Sequence, residues 1–371
     1  MESVLSLVFY LFLAVFCSVI AYLAQKKEKR LLLWLPVLVL AVVAGIRAAS
    51  VGVDTGGYLR MFPWYDNVGV SAINREYLFY FIGLGIYRIF GTVQPVFFVF
   101  GLLIYALVFF RLWDFRKTAD LGICALLFVL FYFGSSMNGL RQYIAIAIVF
   151  YATRYLRQER YILFCLLVAL SALFHVSSII CLAFVVLYIG IRRQYKFRQL
   201  IYLVCFLIAA VPAGWLLLQY YGSYLDDVKE TDFGLMSIVR LGVLLGCYIL
   251  CTVRLSAAKR KPADGQPVLL SASEEQTTAL GGRFVDDSSF RFLFLISLLG
   301  MILGLASAFI DFASRAGYYF RIFEIVFFGA VFQSRQIDKF LKAFILMALV
   351  ALGAYSLWTY NGIIPYQTIF S

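Results

Sequence analysis

Arg141 stands in a short polar stretch, Gly134-Ser135-Ser136-Met137-Asn138-Gly139-Leu140-Arg141-Gln142, between two apolar runs. A guanidinium keeps its charge at ordinary pH, and beside hydrocarbon that charge is costly, so an arginine in this setting is a functional-site candidate by default. His175 is the sole histidine of the chain. Imidazole titrates near neutrality, the property required of a general acid or base. Glu76 opens another apolar run, and a carboxylate at a membrane edge can be raised by desolvation into the same role. Arg315, Tyr318 and Tyr319 are spaced i, i+3, i+4 and share one helical face, with Arg321 deeper. Several fixed cations suit a multiply charged anion such as pyrophosphate, because arginine engages phosphate oxygens bidentately.

Each residue also has a plainer reading. Arg141 could snorkel from a helix end to water. His175 could be a hydrogen-bonded packing residue at a helix turn. Arg321 could pair with Glu324 at i, i+3, and Asp311 could neutralise Arg315 at i, i+4. Asp54-Thr55 before Gly56-Gly57 reads as the capped start of a helix at the membrane surface, running through Tyr58 to Trp64.

The elements that position these groups must be membrane helices. The chain has 371 residues, of which 63% are hydrophobic and 14% charged, against about 45–50% and about 25% for a soluble domain. Mean hydropathy is +0.91. Lipid offers no partner to open backbone groups, so nearly every element is expected to be helical. The net charge of +12 follows from the Lys/Arg excess of cytoplasmic loops rather than from nucleic-acid binding. The seven cysteines lie in apolar runs without disulfide or zinc spacing. One histidine excludes a multi-His metal site, and no phosphate-binding glycine motif is present. No metal and no cofactor are expected.

Apolar segments read near 3–24, 31–46, 76–90, 95–113, 119–134, 140–156, 160–174, 176–191, 199–219, 237–254, 290–310, 317–333 and 339–360. The first lacks a basic leader and a small-residue cleavage site and reads as a retained helix. Basic clusters from Lys26-Lys27 to Arg335 mark the cytoplasmic side. The run Tyr161–Gly190 is flanked by such clusters at both ends, which requires a hairpin turning near Phe174-His175-Val176-Ser177-Ser178. By the same logic the breaks at 135–141 and 311–315 face outward. The short segment 76–90 reads as re-entrant or interfacial. The expectation is an all-α polytopic integral membrane bundle of about 12 spans plus that segment. It forms one transmembrane domain over 1–371. An outer loop with an interfacial helix covers 48–75, an acidic outer loop 220–236, and a flexible cytoplasmic loop 255–289.

A lipid-linked pyrophosphate sugar fits these features: lipid between helices, pyrophosphate at arginine, sugar outside. The ordered set Gly45-Ile46-Arg47, Val51-Gly52-Val53-Asp54-Thr55-x-x-Tyr58, Glu76, Asn138-x-x-Arg141-Gln142-x-Ile144-Ala145, Phe174-His175-x-Ser177-Ser178 and Arg315-x-x-Tyr318-Tyr319-x-Arg321 resembles the EpsG-like branch of Wzy-type polysaccharide polymerases. The resemblance spans residues about 45 to 325 and rests on the order and placement of its motifs.

It implies a GT-C-like, metal-independent membrane glycosyltransferase of the bacterial cytoplasmic (inner) membrane with its site facing outside. Such an enzyme joins undecaprenyl-pyrophosphate-linked repeat units into O antigen, capsule or exopolysaccharide. A hydroxyl of the acceptor sugar attacks the donor anomeric carbon, and undecaprenyl pyrophosphate leaves. Arg141 with Arg315 or Arg321 would stabilise the leaving charge, and His175 or Glu76 would take the proton. Arg47, Asp54, Tyr58, Asn138, Gln142, Tyr318 and Tyr319 would bind substrate or hold the arginines. The implied partners are lipid-linked glycans, membrane lipid, a flippase and a chain-length regulator, with no nucleic acid. An O-antigen-ligase-like transferase and a lipid-linked oligosaccharide flippase are the rival readings.

Overall fold

The computed structural model of the protein describes residues 2–69, 73, 76–192, 238–249, 288–306, 311–334, 337–359 and 362–370. Among them the regular elements are all helices, as a hydrocarbon interior demands. In chain order they are α1 (Glu2–Lys26), a 3-10 turn (Arg30–Leu33), α2 (Trp34–Gly45), α3 (Thr55–Val68), α4 (Tyr77–Phe90) and α5 (Gln94–Trp113). Next come α6 (Leu121–Phe128), a π-helical turn (Val129–Phe133), α7 (Gly134–Asn138), α8 (Leu140–Arg157), α9 (Tyr161–Ala172), a 3-10 helix (Val176–Leu182) and α10 (Ala183–Arg192). The later helices are α11 (Ile238–Ile249), α12 (Ser288–Ala306), α13 (Asp311–Arg321), α14 (Glu324–Gln333) and α15 (Lys339–Thr359).

The chain forms two compact units, residues 1–116, 121–182 and 348–371 in the first and 117–120 and 183–347 in the second. In the first, α5 is the central helix and packs on α2 and α8, while α1 packs on α6 and α8 on α9. Its interior is aromatic, with Phe79 stacked on Phe100 at 4.9 Å and Tyr105 wedged between Phe128 and Phe133. In the second unit α12 packs on α10, α13 and α14. There Gly300 is required by close approach, since a Cβ would meet the Arg321 backbone. Small residues at such crossings are a usual device of membrane helices.

Among the described residues, four helices are long and apolar enough to cross a membrane: Glu2–Lys26, Gln94–Trp113, Leu121–Asn138 and Lys339–Thr359. α1 leaves Val4, Leu5, Val8, Phe12, Val15 and Val19 exposed, an apolar stripe at helical spacing suited to lipid. α4 has 14 residues and rises about 21 Å, short of an about 30 Å hydrocarbon core.

Two breaks differ from expectation. The polar stretch 134–142 is almost wholly helical, and only Gly139 (φ −76°, ψ 51°) departs from helical geometry. Ser136 donates to the Phe133 carbonyl and lies 3.1 Å from the Tyr105 hydroxyl, so its polarity is satisfied inside the fold without water. The run expected as 317–333 is two helices, α13 and α14, separated at Ile322-Phe323. The segment 199–219 and the acidic loop 220–236 lie outside the described residues, as does the loop 255–289 up to Ser288, where α12 begins.

Candidate functional site

Glu76 is the residue before α4, in left-handed backbone conformation (φ 52°, ψ 41°). The start of α4 is tied to the end of α9, because the Leu78 N–H donates to the Leu173 carbonyl at 3.2 Å. That contact brings Glu76 to the turn carrying His175. Glu76 Oε1 lies 2.5 Å from His175 Nδ1, and Arg141 Nη1 donates to Glu76 Oε2 at 2.5 Å. Arg141 Nη1 also donates to the Tyr80 hydroxyl at 3.1 Å and is hydrogen-bonded with the Tyr58 side chain.

Side-chain exposure separates the roles. Glu76 is 1% and His175 8% exposed, whereas Arg141 is 29% exposed. The carboxylate is sealed, the imidazole keeps a small exposed edge, and the guanidinium reaches the surface. Burial alone would raise the Glu76 carboxyl, but the hydrogen bond from His175 and the charge of Arg141 outweigh it and hold it below the usual carboxylate range. The sequence-based expectation of a desolvated, raised Glu76 is therefore reversed. An ionised carboxylate accepts from Nδ1–H, which leaves His175 Nε2 as the basic nitrogen.

The turn itself is held by hydrogen bonds. The His175 N–H donates to Ser171 at 3.0 Å and its carbonyl accepts from Ser178 at 3.1 Å, while the Ser171 and Ser178 hydroxyls lie 2.7 Å apart. Gly139 accepts from the Tyr143 N–H and donates to Ser135, so Arg141 projects from the first turn of a firmly attached helix.

Arg47 is 1% exposed. It donates to the Ala44 and Met137 carbonyls and to Thr55 Oγ1, and its guanidinium lies 3.9 Å over the Phe97 ring. Burial lowers its pKa to about 10, which leaves it charged at neutrality. Thr55 is the first residue of α3, and Asp54 before it makes no side-chain capping bond, contrary to the capped start expected. Asp54 is exposed and Tyr58 buried. Asn138 lies against Gly52, whose φ of 91° and contact with the Asn138 amide oxygen leave no room for a side chain. Gln142 is half-buried beside Arg141.

Arg315, Tyr318, Tyr319 and Arg321 belong to the second unit, on α13. Arg315 and Tyr318 are half-buried, and Tyr319 and Arg321 are buried. The Arg321 guanidinium sits 4.4 Å from the Tyr318 ring centroid. Glu324 is ion-paired with Arg240 of α11. Arg240 and Tyr80 were not singled out from sequence. Arg240 had a signal, as the one arginine within the apolar stretch Ile238–Ile249; Tyr80 had none among so many interfacial tyrosines.

An all-helical membrane-type chain with a buried acid bridging one arginine and one histidine is the class that fold and site define. The family model of the EpsG family matches residues 30–368, and the chain belongs to that family, which is Wzy-type polymerase-like. Membership gives it a membrane polysaccharide polymerase-like function. No curated protein and no solved structure matches the chain.

Proposed function

We propose that the protein is a glycosyltransferase that joins lipid-linked oligosaccharide repeat units carried on undecaprenyl pyrophosphate, within a GT-C-like membrane architecture of about 12 spans. The observation that carries this reading is the Glu76 carboxylate bonded on one oxygen to Arg141 and on the other to His175.

An acceptor sugar hydroxyl gives its proton to His175 Nε2 as its oxygen bonds to the donor anomeric carbon. The bond from that carbon to the pyrophosphate oxygen breaks, and the lipid pyrophosphate departs with the electron pair. The imidazolium then returns its proton to solvent. Glu76 stabilises the imidazolium and fixes its tautomer, so it acts as partner rather than rival of His175. Arg141, held in place and partly exposed, meets the charge developing on the leaving group; fixed donors of this kind are commonly the largest single term in catalysis. On sequence grounds the same role extends to Arg315 and Arg321, and sugar contacts to Asp54, Asn138, Gln142, Tyr318 and Tyr319. Arg47, turned inward, is assigned a positioning role.

An outward-facing site is part of the proposal. It is supported by three helices of the first unit that share one polarity. α1 has Lys26 at its far end, α5 has Phe97 near Arg47 and Arg111 at its end, and α8 runs from Arg141 to Arg154 and Arg157. The basic ends are the cytoplasmic ones. The test is to supply purified protein with a single lipid-linked repeat unit. A ladder of longer products supports polymerisation, reaction only with another acceptor supports a ligase, and no chemistry with either overturns the proposal.

A further inference from the structure

A stretch of chain outside any helix is poorly ordered unless its backbone finds partners. Here residues 362–370 follow α15 outside any helix and are bound repeatedly to one place. Gly52 N–H donates to the Gly362 carbonyl at 2.8 Å, Ala48 N–H to Gln367 at 3.0 Å, and Ile369 N–H to Ile46 at 2.9 Å. The last two form an antiparallel bridge between Arg47 and Thr368, so the backbone is clamped on both sides of Arg47. The Tyr366 hydroxyl donates to the Val43 carbonyl at 2.8 Å, and Ser50 Oγ to the Gln367 side chain at 2.8 Å. The tail is anchored from behind by α1: Tyr366 N–H donates to Ser6 Oγ, the Tyr10 hydroxyl to the Ile363 carbonyl, and the Tyr366 ring stacks on Phe9 at 5.2 Å. Ile363 is fully buried.

Arg47 passes this restraint onward. Its guanidinium holds the carbonyl of Met137, two residues before the Gly139 break that precedes Arg141, and the hydroxyl of Thr55, one helical turn before Tyr58. Tyr58 and Arg141 are themselves hydrogen-bonded. All of these residues lie in the first unit.

We propose that the C-terminal segment 362–370 is a positioning element of the candidate site. It fixes the backbone around Arg47, and through Arg47 it sets the end of the Leu121–Asn138 span against the start of α3, so that Arg141 is aimed. Only the activity readout of this proposal rests on the polymerase reading above.

Ile369→Pro in the full chain removes the N–H donated to Ile46, while the Ile369 side chain is 44% exposed and carries little packing. Ile369→Ala, which loses the side chain but keeps the N–H, is the matched reference. Amide hydrogen exchange in detergent is expected to rise in Ile369→Pro at residues 46–52 and also at 137–141, relative to Ile369→Ala. With lipid-linked repeat units, kcat is expected to fall about tenfold or more with little change in KM, as for a misaimed group rather than a lost contact. Tyr366→Phe, which removes only the hydroxyl donated to Val43, is the milder second variant and moves both readouts the same way should Ile369→Pro fail to fold. Exchange that rises in the tail alone, or kcat equal to that of Ile369→Ala, overturns the positioning role. A wild-type chain that makes no polymer overturns the proposed function instead, and the exchange arm still decides the tail.

Discussion

Glu76 Oε1 and His175 Nδ1 lie 2.5 Å apart, joining residues 99 positions distant in the chain. Their contact pairs the two residues that the sequence offers as rival bases. It also fixes how the site responds to acid. The folded-state pKa of Glu76 is depressed, so its ionised form contributes stability above the unfolded carboxylate value, about 4.3, and that contribution is lost as pH falls through the lower folded value.

Glu76→Gln is therefore expected to lose less stability than the wild type as pH falls below about 5, so that the gap between the two narrows over that window. Thermal unfolding in detergent across this range checks it, and parallel curves for the two proteins would rule out the buried carboxylate as the titrating group. At neutral pH Glu76→Gln should be the less stable of the two, by about 3–5 kcal/mol if the ion pair is fully broken.

Arg141→Lys keeps the charge but loses the planar fork. A single ammonium cannot serve Glu76, Tyr80 and a phosphate oxygen in the geometry that Arg141 holds. Polymer formation is expected to fall about 10²- to 10³-fold, the usual loss when one transition-state donor is removed, and cell-surface glycans should shorten to a single repeat. Near-normal chain lengths would argue against a pyrophosphate contact at this side chain.

Gly52→Ala tests the neighbouring break. At φ 91° a Cβ is strained, and it would collide with the amide oxygen of Asn138. The variant is expected to lose at least about 1 kcal/mol of stability and to lower activity by displacing the chain just before Arg141. A melting temperature and product yield equal to wild type would show that the contact is not needed.

Asp66→Asn should do almost nothing. The Arg88–Asp66 pair is exposed on both sides, 51% and 39%, and such pairs contribute about 0–1 kcal/mol. A fall in melting temperature comparable to that of Gly52→Ala would mean that the packing of α3 on α4 depends on this pair after all.

Much of the helical framework could be read from hydropathy alone. The turn at 174–178 followed from two basic clusters flanking one apolar run, and the structure ends α9 at Ala172 and places His175 between helices. Arg141 was legible because a permanent charge among apolar residues needs a reason. Less of the site's wiring could be read. Nothing local distinguishes Glu76 as the partner of His175, since the carboxylate's environment is built by a contact of long sequence separation. The polar look of Ser135 and Ser136 pointed to a loop, but hydroxyls that bond their own helix carry no such requirement. Arg47 resembled a ligand-binding arginine by type, and only its burial by Phe97 and three protein acceptors turns it inward.

The left-handed backbone of Glu76 carries one last consequence. Position 76 is where a helix start would most readily accept glycine, which adopts that conformation freely, whereas a side chain there costs about 1 kcal/mol. Glu76→Gly relaxes the peptide and in the same stroke strips the imidazole and the guanidinium of their common anion. Comfort of the main chain and pairing of the side chain thus pull against each other at a single residue, and the pairing, at about 3–5 kcal/mol, outweighs the about 1 kcal/mol that glycine would return.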